Sequence, residues 1–356
     1  MKAVICMHKR SNTRPVRIGK VRIGAQDKIV IQTMAKSRPK MIAAALREIN
    51  SYATEGAEIV RFSVLDISDA QAFKTLKEHT DIPLVADIHF DWRLAVAAIE
   101  AGADKIRINP GNIGSKDHLR TIIETAKQYG VPIRIGINAG SLDKHCEKQY
   151  GKTAKGMVES AKKHVAWFEE NAFHDIVLSF KASDVALTIA ATRLAASTFN
   201  YPLHLGVTEA GPVYQGIIKS SAALGALIHD GIGDTIRISL SGERLEELKA
   251  CKTLLAAFGL YELPTLIACP GCGRLAYDME PIIQEMEAYL EKHPTDLKIA
   301  IMGCAVNGPG EAKDADIGVA GGKNEALLFI KGQSVRKIPQ EAIVPALIAA
   351  IETHKK

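Results

Sequence analysis

The sequence predicts an α/β fold: a closed (β/α)8 barrel of the TIM type followed by a small α+β domain. Three observations predict it. Short runs rich in β-branched residues recur eight times before residue 242, each followed by a turn signal and a stretch of helical period. The runs are almost continuously apolar, which is how parallel strands covered on both faces read. Finally, 356 residues are many for one hydrophobic core, and the period breaks at Gly259–Pro264.

In order, the strand runs are Lys28–Gln32, Glu58–Val64, Pro83–His89, Asp104–Asn109, Pro132–Asn138, Asp175–Lys181, Pro202–Thr208 and Asp234–Leu240. Eight such units favour a closed barrel over an open doubly wound sheet. Between the first two, Ile42, Leu46, Ile49 and Ala53 share one helical face, with Ser37 as the expected cap. Gly102, Gly130 and Gly231 each stand shortly before the next strand, where helices commonly end. A last barrel helix is expected over Gly242–Phe258. Residues 1–260 then form the barrel and 265–356 the second domain. In the latter, Leu297–Met302 and Ala326–Lys331 read as strands, accompanied by two helices.

Bulk properties narrow the function. The chain is 47% hydrophobic and 24% charged, with no run long enough to cross a bilayer. Its first ten residues, MKAVICMHKR, lack the apolar core of a signal peptide, so a cytoplasmic location is expected. The net charge of +5 suits an anionic small molecule, and no basic run with interleaved aromatics points to nucleic acid.

In barrels of this kind chemistry sits at the C-terminal strand ends. Those ends carry Arg61, Asp87, His89, Arg107, Asn109, Asn112, Arg134 and Asn138, then Lys181, Ser183, Asp184, His204, Thr208, Glu209, Arg237 and Ser239. Any single arginine there could belong to a salt bridge with Asp87, Asp184 or Glu209. As a set, the cations outnumber the carboxylates, which favours a dianionic or diphosphorylated ligand gripped by planar guanidinium groups. The turn Asn109–Gly114 offers backbone N–H groups as a further, weaker phosphate site. Lys181 could instead form a Schiff base, as in barrel aldolases.

Three of the six cysteines form a pattern, Cys269-x-x-Cys272 followed after 31 residues by Cys304. The spacing suits a metal centre. No fourth Cys or His has usual zinc spacing, His293 and Cys251 being the nearest, so a cluster with one non-cysteine ligand is slightly preferred to zinc. Cys6, Cys146 and Cys251 read as isolated apolar residues.

Taken together these segments resemble the bacterial 4-hydroxy-3-methylbut-2-enyl diphosphate synthases of the non-mevalonate isoprenoid (MEP) pathway. The resemblance rests on VADIHFD (85–91), RINPGNIG (107–114), RIGINAGSL (134–142), KASD (181–184) and LHLGVTEAG (203–211). It continues through GIGDTIRISL (231–240), ACPGCGR (268–274) and GCAVNGPGEA (303–312), and so covers nearly the whole chain. It implies reductive opening of 2-C-methyl-D-erythritol 2,4-cyclodiphosphate with loss of a hydroxyl. One 4Fe–4S cluster per chain is implied on Cys269, Cys272, Cys304 and Glu311. The implied substrate contacts are Arg61, His89, Arg107, Asn112, Arg134, Asn138, Lys181, Arg237 and Ser239, with Glu209 or His89 supplying protons. Flavodoxin or ferredoxin would donate electrons, and a homodimer would place one subunit's cluster domain over its partner's barrel. The chain departs from the family after the first strand, where Lys36 replaces the usual asparagine and puts any contact from that loop in doubt.

Overall fold

The computed structural model describes residues 12–25, 28–304, 310, 313, 315–322 and 325–354. The chain divides into two units, Met1–Leu260 and Tyr261–Lys356.

The first unit opens with a hairpin, β1 (Val16–Ile18) and β2 (Val21–Ile23), which sequence reasoning did not anticipate. Eight parallel strands follow: β3 (Val30–Met34), β4 (Ile59–Ser63), β5 (Leu84–Asp87), β6 (Lys105–Ile108), β7 (Ile133–Asn138), β8 (Ile176–Lys181), β9 (His204–Leu205) and β10 (Thr235–Ile236). Seven fall inside an expected run, and β3 overlaps its run, Lys28–Gln32, but continues two residues beyond it. The sheet order is β8-β7-β6-β5-β4-β3-β10-β9, and a parallel bridge between Leu178 and Leu203 closes β9 onto β8. The barrel helices are α1 (Ile42–Thr54), α2 (Ile67–Glu78), α3 (Trp92–Glu100), α4 (Lys116–Tyr129), α5 (Lys144–Tyr150), α6 (Ala154–Glu170), α7 (Val185–Thr198), α8 (Val213–His229) and α9 (Arg244–Ala257).

Local chemistry sets the helix ends. Ser115 caps α4 by accepting from the His118 N–H, and Gly130 ends it in the left-handed region at φ +66°. Asp66 caps α2 in the same way. The expected Ser37 cap of α1 is not one. The helix starts at Ile42 with Met41 before it, and the Ser37 hydroxyl instead donates to Glu48, in the second turn of α1.

One end of the barrel interior is hydrocarbon. Val30, Ile59, Val85 and Val177 meet there, and Val16, Ile18 and Ile23 of the hairpin pack onto them as a plug. Each fully buried aliphatic side chain contributes roughly 1.5–3 kcal/mol, so this closure is a large part of what holds the barrel.

The second unit is a five-stranded mixed sheet in the order β11 (Thr265–Ala268), β12 (Lys298–Met302), β13 (Ile317–Gly322), β14 (Glu325–Ile330) and β15 (Gln333–Pro339). The first three strands are parallel and the last two antiparallel. A helix at Glu280–Lys292 and one at Ile343–His354 pack on it, burying Met286, Leu290, Leu347 and Ile351 against Ile299, Ile301, Ile317 and Val319. No helix among the described residues is long and apolar enough to cross a membrane.

Candidate active site

Side chains alternate along a strand, so residues two apart share the barrel interior at successive levels. From the apolar floor upward, β4 presents Ile59 then Arg61, β5 presents Val85, Asp87 and then His89, and β6 presents Lys105 then Arg107. The strands β7 and β8 add Arg134 and Lys181, and Arg237 directly follows β10. The interior thus changes within two residues from hydrocarbon to cation.

The cavity at this end has a volume of about 410 Å³. Arg61, His89, Arg107, Arg134, Asn138, Lys181, Glu209, Arg237 and Ser239 all line it, with Asp87, Met34 and Arg244. Asp87 organises one side. Its carboxylate lies 3.1 Å from Arg107 Nη1, 3.6 Å from Arg61 Nε and 3.6 Å from His89 Nε2. Burial alone would raise the Asp87 pKa. Arg61, His89 and Arg107 outweigh it and hold the carboxyl well below the usual range. On the opposite side Glu247 of α9 lies 3.6 Å from Arg237, and its other oxygen accepts from Arg244 at 2.5 Å and from the Leu240 N–H at 2.9 Å. Burial lowers Arg237 to about 10, with Arg61 adding and Glu247 opposing.

These two carboxylates do not satisfy the set. Among the described residues, Arg61 Nε, Arg107 Nε, Arg134 Nε and Nη1, and Arg237 Nε are buried donors without a hydrogen-bond partner. Unmet donors on buried cations cost several kcal/mol unless an anion meets them. Glycine makes the room. A methyl at Gly136 would stand 2.9 Å from Arg107 Nε, and one at Gly206 would stand 2.5 Å from Lys181 Nζ. At the rim, Glu209 holds a left-handed backbone at φ +53°, a conformation that costs a non-glycine residue energy and is enriched at functional sites.

Other expected residues lie elsewhere. Asn112 does not line the cavity. The Asn109–Gly114 turn spends its N–H groups internally: Gly111 donates to Asn109 Oδ1, Asn112 to the Asn109 carbonyl and Ile113 to the Pro110 carbonyl. It is a self-capped 3-10 turn, and these N–H groups are not offered to phosphate. Asp184, weighed as a cation partner, is instead the exposed cap of α7, accepting from the Leu187 N–H at 2.6 Å. Lys36 pairs with Glu243 at 3.1 Å. Sequence reasoning missed Glu247, which stands beyond the last strand on a helix, and the fully buried Lys105.

In the second unit, Cys269 directly follows β11 and Cys304 follows β12 by two residues. These strands are parallel neighbours, with Ala268 opposite Ile301, so both cysteines belong to one edge of the sheet. The Cys269 N–H donates to the Ile301 carbonyl at 3.1 Å, and the Ala276 N–H to that of Gly303 at 2.8 Å, fastening the Cys269–Cys272 loop beside Gly303. None of the three thiols is in a disulfide, and Cys272 is exposed. Such a set of accessible thiols suits soft iron or zinc. Glu311 lies outside the described residues, and among the described residues no three Cys, His, Asp or Glu side chains converge as a metal site.

Comparison with known proteins agrees with this division. The model of the GcpE TIM-barrel domain matches residues 13–252, and that of the GcpE protein C-terminal domain matches residues 265–353. The 4-hydroxy-3-methylbut-2-en-1-yl diphosphate synthase (flavodoxin) of Lysinibacillus sphaericus is 51% identical over 345 residues, 96% of this chain and 93% of its own. That of Bacillus subtilis is 50% identical, covering 96% and 92%. Among solved structures, a dihydropteroate synthetase superposes with a TM-score of 0.51 at 13% identity, covering 69% of this chain and all of its own, a likeness of fold alone. With both domain models matched in order and half of all residues identical along nearly its full length, the chain belongs to the GcpE family of 4-hydroxy-3-methylbut-2-en-1-yl diphosphate synthases.

Proposed function

We propose that the chain reductively opens 2-C-methyl-D-erythritol 2,4-cyclodiphosphate to 4-hydroxy-3-methylbut-2-enyl diphosphate, using a 4Fe–4S cluster fed by flavodoxin or ferredoxin. The observation that carries this reading is the charge imbalance in the barrel. Five buried lysines and arginines (Arg61, Arg107, Arg134, Lys181 and Arg237) line the cavity, and two buried carboxylates, Asp87 and Glu247, pair with part of them. A doubly charged cyclic diphosphate answers the unmet guanidinium donors. As the ring opens, one phosphate becomes a leaving group, and the same donors stabilise the charge it gains. His89 and Glu209 stand at the rim, the first oriented by Asp87, where a proton can be passed to the departing hydroxyl.

Cys269, Cys272, Cys304 and Glu311 would hold the cluster, which when bound supplies electrons one at a time. The barrel mouth also carries exposed apolar side chains on its βα segments: Met41, Leu65, Ile67, Phe90 and Tyr214. A rim of this kind fits a protein surface, and we assign it to the cluster domain of a second copy.

Anaerobic purification tests the reading. About four irons and four sulfides per chain with broad absorption near ~410 nm are expected, together with turnover by reduced flavodoxin. A colourless zinc protein would overturn it. Mixing Arg107→Met with Cys269→Ala subunits should restore activity that neither has alone; no restoration would remove the partner-capped arrangement.

A further inference from the structure

Beneath the cationic mouth lies a second polar level that binding of the substrate does not touch directly. Lys105 has no solvent exposure, and among the described residues its side-chain nitrogen has a single hydrogen-bond partner, the Gln32 side-chain oxygen at 3.1 Å. It does not line the cavity; it stands one level below Arg107 on the same strand. Around it the barrel supplies Gln32 from β3, Arg61 from β4, the apolar Val85 opposite it on β5 and Arg134 from β7. Lys181 comes from β8, and His204 from β9, whose Nδ1 meets Thr235 Oγ1 of β10 at 2.8 Å. Among the described residues no carboxylate pairs with Lys105: Asp87 is engaged by Arg61, Arg107 and His89.

With every group ionised and no anion present, this interior would hold like charges in a medium that screens them poorly. Arginine does not surrender its proton, whereas a buried ammonium does. Burial, then Arg134 and Arg61, push Lys105 well below the ordinary lysine range. Burial and four arginines do the same to Lys181, but Lys181 reaches the cavity and can touch a ligand itself. Lys105 can respond to a ligand only through charge.

We propose that Lys105 is the proton-coupled counter-charge of the substrate site: a neutral amine beneath the empty mouth that takes one proton from solvent when the cyclic diphosphate dianion binds above it. This rests on the reading of the cavity as a diphosphate site. The bond formed is N–H on Lys105 Nζ, and the proton comes from water or buffer. The linkage has a definite sign. Binding raises the pKa of the amine, so affinity is full below its free-state pKa and is lost as pH rises toward its bound-state pKa.

The substrate is a clean probe because each of its phosphorus atoms carries one strongly acidic oxygen, and neither titrates near neutrality. Calorimetric titration of the intact enzyme with the cyclic diphosphate, in buffers of differing ionisation enthalpy at pH 8, reads the protons taken up. About one proton per site is expected, with affinity weakening by up to tenfold per pH unit above that. In Lys105→Met, uptake should fall by about one proton and the pH slope should flatten, with binding retained. Binding without proton uptake in the unaltered enzyme needs no variant to observe; it would overturn this inference while leaving the diphosphate site intact. Unchanged uptake in Lys105→Met would also overturn it, by assigning the proton to another group. Absence of binding would remove both readings.

Discussion

The two ends of the barrel are made from the same strands and differ in almost every other respect. At the floor Val30, Ile59, Val85 and Val177 fill the interior and a hairpin seals it. A few residues further along, the interior holds buried lysines and arginines, and among the described residues several of the arginine donors are left unmet. The floor is satisfied by its own chain, and the mouth is not. What the difference teaches is that the self-satisfied core and the unmet cations stand at opposite ends of one sheet, as the general division of stability and chemistry in barrels of this type would have it.

That contrast can be broken, and the largest effect should come from the mouth. Arg134→Met removes a buried cation that has no ion-pair partner among the described residues. We expect kcat/KM to fall by on the order of a thousandfold, about 4 kcal/mol, for a charged contact to substrate, while Tm holds or rises because an uncompensated charge has gone. Steady-state kinetics beside a thermal melt would show it. A large loss of Tm with kcat/KM intact would mean that the mouth is structural after all.

Ile59→Ala addresses the floor. A cavity there should cost about 2–5 kcal/mol in stability, visible as a lower midpoint in urea, with KM of the folded enzyme little changed. If KM moved as far as stability did, the two ends would not be separable. The subtlest change sharpens the border between them. A methyl at Gly206 meets Lys181 Nζ at 2.5 Å and the Arg237 carbonyl oxygen at 2.8 Å. Gly206→Ala should therefore raise KM about tenfold, roughly 1.4 kcal/mol of binding, because Lys181 must swing aside. An unaltered KM would show that Lys181 finds an equivalent position.

How much of this was legible depended on where the signal lay. Buried parallel strands write themselves as β-branched runs, so all eight were readable, and the cations at their ends stood out because arginine is costly there. The hairpin was missed because its strands have three residues each, too short for periodicity to assert itself. Ser37 carried the right chemistry for a cap, but its hydroxyl found Glu48 instead, a tertiary partner that no local pattern reveals. Glu247 was invisible for the same reason: only the fold brings α9 against Arg237. Lys105 was within reach, two residues before Arg107 in one strand, yet strand-end reasoning stopped one level too high. In the second unit, β11 is half exposed and β15 largely exposed, and neither shows the apolar run that gave away β12 and β14.

The seam of the barrel has a consequence for what a ligand does. The strands β9 and β10 are only two residues long, and the sheet closes between β8 and β9 through one isolated bridge, Leu178 to Leu203. Lys181 stands on one side of that seam and Arg237 on the other, with Gly206 between them making room for the lysine. On the proposed reading, a diphosphate held by both cations would join the margins of the sheet across that seam. The substrate would then act as a rivet as well as a reactant, and the barrel would be most completely a barrel when occupied.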